Sequence, residues 1–389
     1  MKLQDVCSIK HGFAFKGKYI THEASGYELV TPGNFSLAGG FQHAKKPKYY
    51  TGPIPEEYVL EPDDLIVTMT DLSRNADTLG LSALIPNDGN KYLHNQRIGL
   101  LTCDQKQISK HYLHWLLRTR EYQRTIAGMA SGSTVKHTSP SSILSYEATI
   151  PDLQTQKRIA VLLDLFDAKI EANTKLNGYL EELADGMFRR HFGGLTDNAT
   201  LADFANVTMG QSPAGSSYNE AGIGTIFYQG RAEFGWRYPT QRLSTTEPKR
   251  MAKAGDVLMS VRAPVGDLNL AYEDCCIGRG LAAIHCDYPS YGLYLMRSLH
   301  KKLYAYNGEG TVFGSINGKA LNGLPIALPN NAAIRAFEKE ATPIDTQIRN
   351  NEVESRALVT LRDTLLPKLM AGEIDVSKVD LTQLNSHLV

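Results

Sequence analysis

Several stretches of this chain carry residue types at spacings that could support chemistry, and each lacks one essential part. Gly12-Phe13-Ala14-Phe15-Lys16-Gly17-Lys18-Tyr19 has the G-x-x-x-x-G-K spacing of a phosphate-cradling loop. Such a loop needs Ser or Thr next, to reach a magnesium ion, and here Tyr19 follows without any helical pattern behind it. Gly308-Glu309-Gly310-Thr311-Val312-Phe313-Gly314 misses the dinucleotide-binding spacing by one residue. Glu247-Pro248-Lys249 has the acid-x-Lys form found in many nucleases, but no Pro-Asp lies within thirty residues before it. Cys275-Cys276 and His285-Cys286 offer soft ligands, yet not the short paired spacings of structural zinc. His11, His94, His137 and His285 form no ligand pattern, and neither half contains an Asn/Asp-Pro-Pro-aromatic stretch to hold an amino group for methylation. The chain therefore reads as a binder, with no catalytic residues, no metal and no cofactor of its own.

The residues a nucleic-acid reader needs are present in both halves. Base edges are read by Arg, Lys, Asn, Gln, Ser and Thr, and aromatic residues and close backbone approach support the contact. The first half supplies Phe13, Phe15, Lys16, Asn34, Thr70, Arg74, Asn95, Gln96, Arg97, Ser133, Thr134 and Lys136. The second supplies Gln211, Ser212, Gln229, Arg231, Trp236, Arg237, Arg262, Arg279, Thr311 and Asn317. Lys+Arg equal Asp+Glu, 41 against 41, so the chain is not one that coats nucleic acid by charge alone. A local basic face remains open, for example from Lys10 to Lys48.

These residues sit on a duplicated framework. Leu3-Gln4-Asp5 to Gly12 recurs as Leu201-Ala202-Asp203 to Gly210, an offset of 201 − 3 = 198. Asp64-Leu65-Ile66-Val67-Thr68 recurs as Asp256-Val257-Leu258-Met259-Ser260 at offset 192, and Arg97 pairs with Arg279 at offset 182. Ser133-Thr134-Val135 answers Gly310-Thr311-Val312 at offset 177. Asp167/Asp345, Ile170/Ile348, Asn173/Asn351, Leu180/Leu358 and Gly194/Gly372 then hold offset 178. A period this long is a duplicated domain rather than a solenoid array.

Residues 1–150 and 198–328 show short β-branched or aromatic runs between Gly, Pro and Asn clusters, with one helical pattern in each, and predict α+β domains. Segments 151–197 and 329–376 carry long amphipathic helices, and 377–389 form a tail. Ile159, Phe166, Ile170, Asn173 and Leu180 in the first, and Ile344, Ile348, Asn351 and Leu358 in the second, mark a coiled-coil-like seam. About 35 residues at the α-helical rise give a rod of roughly 50 Å. Asn173 and Asn351 occupy matching seam positions, where antiparallel packing would bring them together. Pro367 predicts an end or a kink in the second helix. No run approaches the roughly 18 apolar residues of a membrane span. Five cysteines without a Cys-x-x-Cys, and a start at Met1-Lys2-Leu3-Gln4-Asp5, read as a cytoplasmic protein with reduced thiols.

Several of these segments together resemble the DNA specificity subunit of type I restriction-modification systems, over nearly the full length. They are Leu365-Leu366-Pro367-Lys368-Leu369-Met370-Ala371-Gly372-Glu373-Ile374, the run Ile150-Pro151-Asp152-Leu153-Gln154-Thr155-Gln156-Lys157-Arg158-Ile159-Ala160 leading into Asp167-Ala168-Lys169-Ile170, and the openings Asp5-Val6 with Gly12-Phe13-Ala14-Phe15-Lys16 and Gly255-Asp256-Val257-Leu258. Asn331-Ala332-Ala333-Ile334 departs from the glutamine-rich start usual there. The resemblance implies two tandem pseudo-symmetric α/β target-recognition domains, separated by two long helices forming an antiparallel coiled coil. It implies double-stranded DNA as ligand, read as a split asymmetric site. Two methyltransferase subunits carrying S-adenosylmethionine are the implied partners, which motor-nuclease restriction subunits can join. Three other readings stay open: a modification-only or other defence complex, a protein-interaction scaffold, and an autonomous nuclease or methyltransferase.

Overall fold

The computed structural model describes residues 1–71, 76–132, 135–308 and 314–383. The chain divides into two compact units, one of Met1–Ala172 with the stretch from Glu354 onward, the other of Asn173–Val353. In the first, strands Cys7–His11, Ile98–Cys103, Leu65–Thr68 and Ser82–Leu84 lie in that order as an antiparallel sheet. Leu65–Thr68 is buried along its whole length. Successive side chains leave a strand on opposite faces, so this strand serves two cores. Leu65 and Val67 join Tyr112, Trp115 and Phe166, whereas Ile66 joins Val30, Ala83 and Tyr92. A second, five-stranded sheet orders Ile20–Thr21, Tyr49–Tyr50, Glu28–Leu29, Tyr92–Leu93 and Val59–Leu60, with Glu28–Leu29 parallel to Tyr92–Leu93.

The second unit repeats this plan. Asn206–Met209, Leu281–His285, Val257–Ser260 and Leu268–Leu270 form the antiparallel sheet. Its five-stranded sheet runs Tyr218–Asn219, Leu243–Thr245, Thr225–Tyr228, Cys275–Ile277 and Met251–Ala252, again with one parallel pair. Val257 and Met259 enter one core and Leu258 another. The turn before the shared strand is repeated too. Asp63 and Gly255 both adopt left-handed backbone, φ 69° and 90°. The carboxylates of Asp64 and Asp256 then accept from the amides of Glu61 and Lys253 at 2.9 and 2.8 Å.

Two 40-residue helices, Leu153–Phe192 and Asn331–Met370, contribute one part to each unit. In the first unit Asp167 accepts from Arg362 at 2.6 Å, Lys169 lies 3.8 Å from Glu354, and Arg158 donates to the Val376 and Val379 carbonyls. In the second, Asn173 meets Asn351, Asn177 meets Ile348, and His191 lies 3.4 Å from Glu340. Rising numbers on one helix meet falling numbers on the other, so within each unit the helix segments pack antiparallel. Of the end or kink expected at Pro367, the end does not occur there. The helix continues to Met370 and closes at left-handed Gly372, with the Glu373 amide donating to Lys368 at 2.9 Å. A proline removes one intrahelical bond, and burial of Leu366 and Leu369 holds the last turn against that loss. Among the described residues no helix is long and apolar enough to cross a membrane.

The seam residues divide between the two cores. Ile159, Phe166 and Leu358 are buried in the first unit with Ile170 at the margin, and Ile348 in the second with Ile344 at the margin. Leu180 is half-buried. The amide of Asn173 donates to the Asn351 carbonyl at 3.4 Å, while the Asn351 side chain donates to Asn177 Oδ1 at 2.7 Å and accepts from Gln347 at 2.7 Å. Buried amides hold register at a cost in stability. Removing Asn351 takes the donor from Asn177 Oδ1, and a buried acceptor left unmet costs about 1–3 kcal/mol. We expect Asn351→Leu to lower the unfolding free energy and Asn177→Leu with Asn351→Leu to recover it, giving a coupling of at least ~1 kcal/mol by denaturant titration. Additive single and double effects would contradict the pairing.

Candidate nucleic-acid interface

At one end of each four-stranded sheet the loop after the first strand is laced to the turn before the next. The Gly12 amide donates to Ile98 at 3.2 Å and the Phe13 amide to His94 at 2.8 Å. In the second unit Gly210 donates to Leu281 at 2.9 Å and Gln211 to Ile277 at 3.0 Å. The turns themselves close alike, Ile98 to Asn95 and Leu281 to Gly278, both at 2.9 Å. The third strand is tied in the same way, Met69 to Arg97 at 2.9 Å and Val261 to Gly280 at 3.0 Å. Thr138 then donates to Met69 at 3.0 Å and Ile316 to Val261 at 3.1 Å. The approach is so close that only glycine fits: a Cβ on Gly12 would stand 2.0 Å from the Asn95 carbonyl oxygen, and one on Gly210 2.1 Å from that of Gly278.

This wiring gathers most of the polar residues singled out in the sequence onto one rim per unit. Lys16, Gln96, Arg97 and Lys136 lie on or beside the first rim, with Lys16, Gln96 and Arg97 exposed. Gln211, Ser212, Gln229, Arg262, Arg279 and Asn317 lie on or beside the second. Arg262 pairs with Ser315 in an isolated bridge, and Asn317 caps a short helix by accepting from Ala320 at 2.9 Å. Arg74, Ser133, Thr134 and Thr311 lie outside the described residues.

Other expected readers serve the fold. Asn34, read as a surface contact, is fully buried, because its amide donates to Glu28 at 3.0 Å and its carbonyl oxygen accepts from Thr31 at 2.9 Å. Thr70 is buried, its hydroxyl 3.3 Å from His137 Nδ1. Phe15 packs edge-on against Tyr50 at 4.8 Å. Arg237 is buried against Asp345, and Arg231 pairs with Asp267. The pairing of Arg97 with Arg279 is also corrected. The hydrogen bonds match the turns at 281 − 98 = 183, so Arg279 stands where Gln96 stands and Gly280 where Arg97 stands. Two like residue types one place out of register had suggested the wrong offset.

The sequence had not shown what fixes each module to the helices. Asp167 accepts from Arg118 at 2.7 Å and from Arg362 at 2.6 Å, while Arg118 stacks 3.9 Å over Trp115. Its repeat mate Asp345 accepts from Arg237 and, at 2.8 Å, from the Tyr294 hydroxyl. The signal was the repeated aspartate itself.

The family model described as "Type I restriction modification DNA specificity domain" matches residues 1–182. The putative type I restriction enzyme MjaX specificity subunit of Methanocaldococcus jannaschii is 31% identical over 308 residues, covering 73% of this chain and 72% of that protein. This chain belongs to the type I restriction-modification specificity subunits. The type I restriction enzyme HindI specificity subunit of Haemophilus influenzae is 21% identical, with 76% of this chain and 84% of that protein covered. The solved type I restriction-modification S subunit from M. genitalium covers 95% of each chain at 16% identity with a TM-score of 0.64, a likeness of fold.

In this specificity subunit one rim carries a titratable support and the other does not. His94 is fully buried, its Nε2 bonded to the Ile98 carbonyl at 2.8 Å, and its counterpart is Ile277. Burial, then the charges of Lys10 and His11, lower its pKa from 6.5 to about 4. The folded ring stays neutral while the unfolded one takes a proton below pH 6.5, so its stabilising contribution is present above 6.5 and is lost as pH falls towards 4. We expect wild type to lose up to ~3 kcal/mol relative to His94→Gln over that window in denaturant titrations. Parallel curves for the two proteins would contradict it.

Proposed function

We propose that this chain supplies the sequence selectivity of a type I restriction-modification complex and performs no chemistry itself. Each module reads one part of a split, asymmetric site in double-stranded DNA. The carrying observation is that two rims with the same backbone wiring present different side chains: Gln96 and Arg97 on one, Arg279 beside Gly280 on the other. A shared frame with diverged side chains suits a device that asks the same kind of question of two unlike sequences. Identical rims would read a palindrome instead. Base-edge contacts then set specificity, while phosphate contacts shared with partners set affinity and orientation.

Two methyltransferase subunits dock on this chain, carry S-adenosylmethionine and transfer the methyl group to adenine. Motor-nuclease subunits join where the system also restricts. S-adenosylmethionine belongs to those subunits, since neither half of this chain carries an Asn/Asp-Pro-Pro-aromatic stretch to hold the adenine amino group. Mapping methylated adenines in a host carrying the methyltransferase subunit, with and without this chain, tests the proposal. A single two-part motif is expected only when the chain is present. The same motif in its absence, or methyl transfer by the purified chain alone, would overturn the assignment.

A further inference from the structure

We infer that Gln96 and Arg279 are matched specificity-determining residues, the first selecting an adenine in one part of the site and the second a guanine in the other. This rests on the DNA-reading role proposed above and names the bases it involves. The two residues occupy the same place in the same four-residue turn, as the bonds Ile98 to Asn95 and Leu281 to Gly278 establish. The main chain of each is fixed from the loop below: the Gln96 amide donates to the Phe13 carbonyl at 3.0 Å, and the Arg279 amide to the Ser212 hydroxyl at 3.3 Å. On the second rim Gly278 and Gly280 are pressed against the Gln229 main chain, where added Cβ atoms would stand 2.7 and 3.0 Å from its carbonyl oxygen. Arg279 therefore projects from a backbone with little freedom to retreat.

Both side chains are exposed. Neither makes a hydrogen bond or ion pair among the described residues. Arg231, by contrast, is held by Asp267, and Arg242 by Glu233 at 2.9 Å. The chemistry then decides the bases. A guanidinium presents two parallel donors that match guanine O6 and N7, whereas a carboxamide pairs one donor and one acceptor with adenine N7 and N6. Replacing one by the other at a fixed backbone position changes which purine fits. Arg97 has Gly280 as its counterpart, so the second rim offers no side chain there.

The test uses the full chain with its methyltransferase partner, selecting from a random-sequence duplex library. Wild type is expected to enrich a two-part motif. In Arg279→Gln, one guanine position in one part loses a preference of about tenfold or more or turns to adenine, with the other part unchanged. In Gln96→Arg the reciprocal change appears in the opposite part only. Both positions are exposed, and thermal unfolding matching wild type confirms folded variants. Selection of the wild-type motif by both variants would overturn this inference alone. Failure of wild type to enrich any motif would overturn the DNA-reading role and this inference with it.

Discussion

The lacing of a strand end to the turn beside it is the constraint on which each module depends. A glycine with no room for a Cβ lets two stretches of main chain approach until amide and carbonyl bond directly. Backbone bonds do not depend on side-chain identity. The turn can therefore change its exposed residues from Gln96-Arg97 to Arg279-Gly280 while keeping its geometry. Separating the frame from its exposed side chains in this way allows two modules of one fold to present different chemistry.

Beneath the rim, each module is fastened to the long helices by the same residue type. Asp167 and Asp345 are each bonded to an arginine from their own module, Arg118 and Arg237, whose side chains are almost fully buried. A buried arginine left without its carboxylate is strongly destabilising, whereas the pair itself adds little net stability. Its effect is positional. In the second unit the aromatic cluster of Phe188, Phe192, Tyr291 and Phe337 adds the apolar counterpart, with ring centroids 5.1–6.3 Å apart.

Much of this was legible in the amino-acid sequence because a duplication leaves its own internal comparison. Gly12 with Gly210, Asp64 with Asp256 and Asp167 with Asp345 all turned out to share a structural role, and the long apolar periodicities gave the two helices. Legibility failed where residue type and environment part company. Asn34 reads as a surface residue, yet the buried Glu28 gives it a partner indoors. Arg97 and Arg279 looked alike and are not counterparts, since one inserted residue is invisible to composition. Asn177 went unnoticed because its repeat position is Ser355, so no duplication flagged it.

Footprinting of the chain with a type I methyltransferase subunit, on DNA carrying a motif methylated only in the chain's presence, tests the central claim most directly. The account predicts two protected tracts of unlike sequence separated by unprotected base pairs, with protection of one tract alone weakened by changes to one rim. A single continuous tract, or equal loss of both on altering either rim, would contradict it.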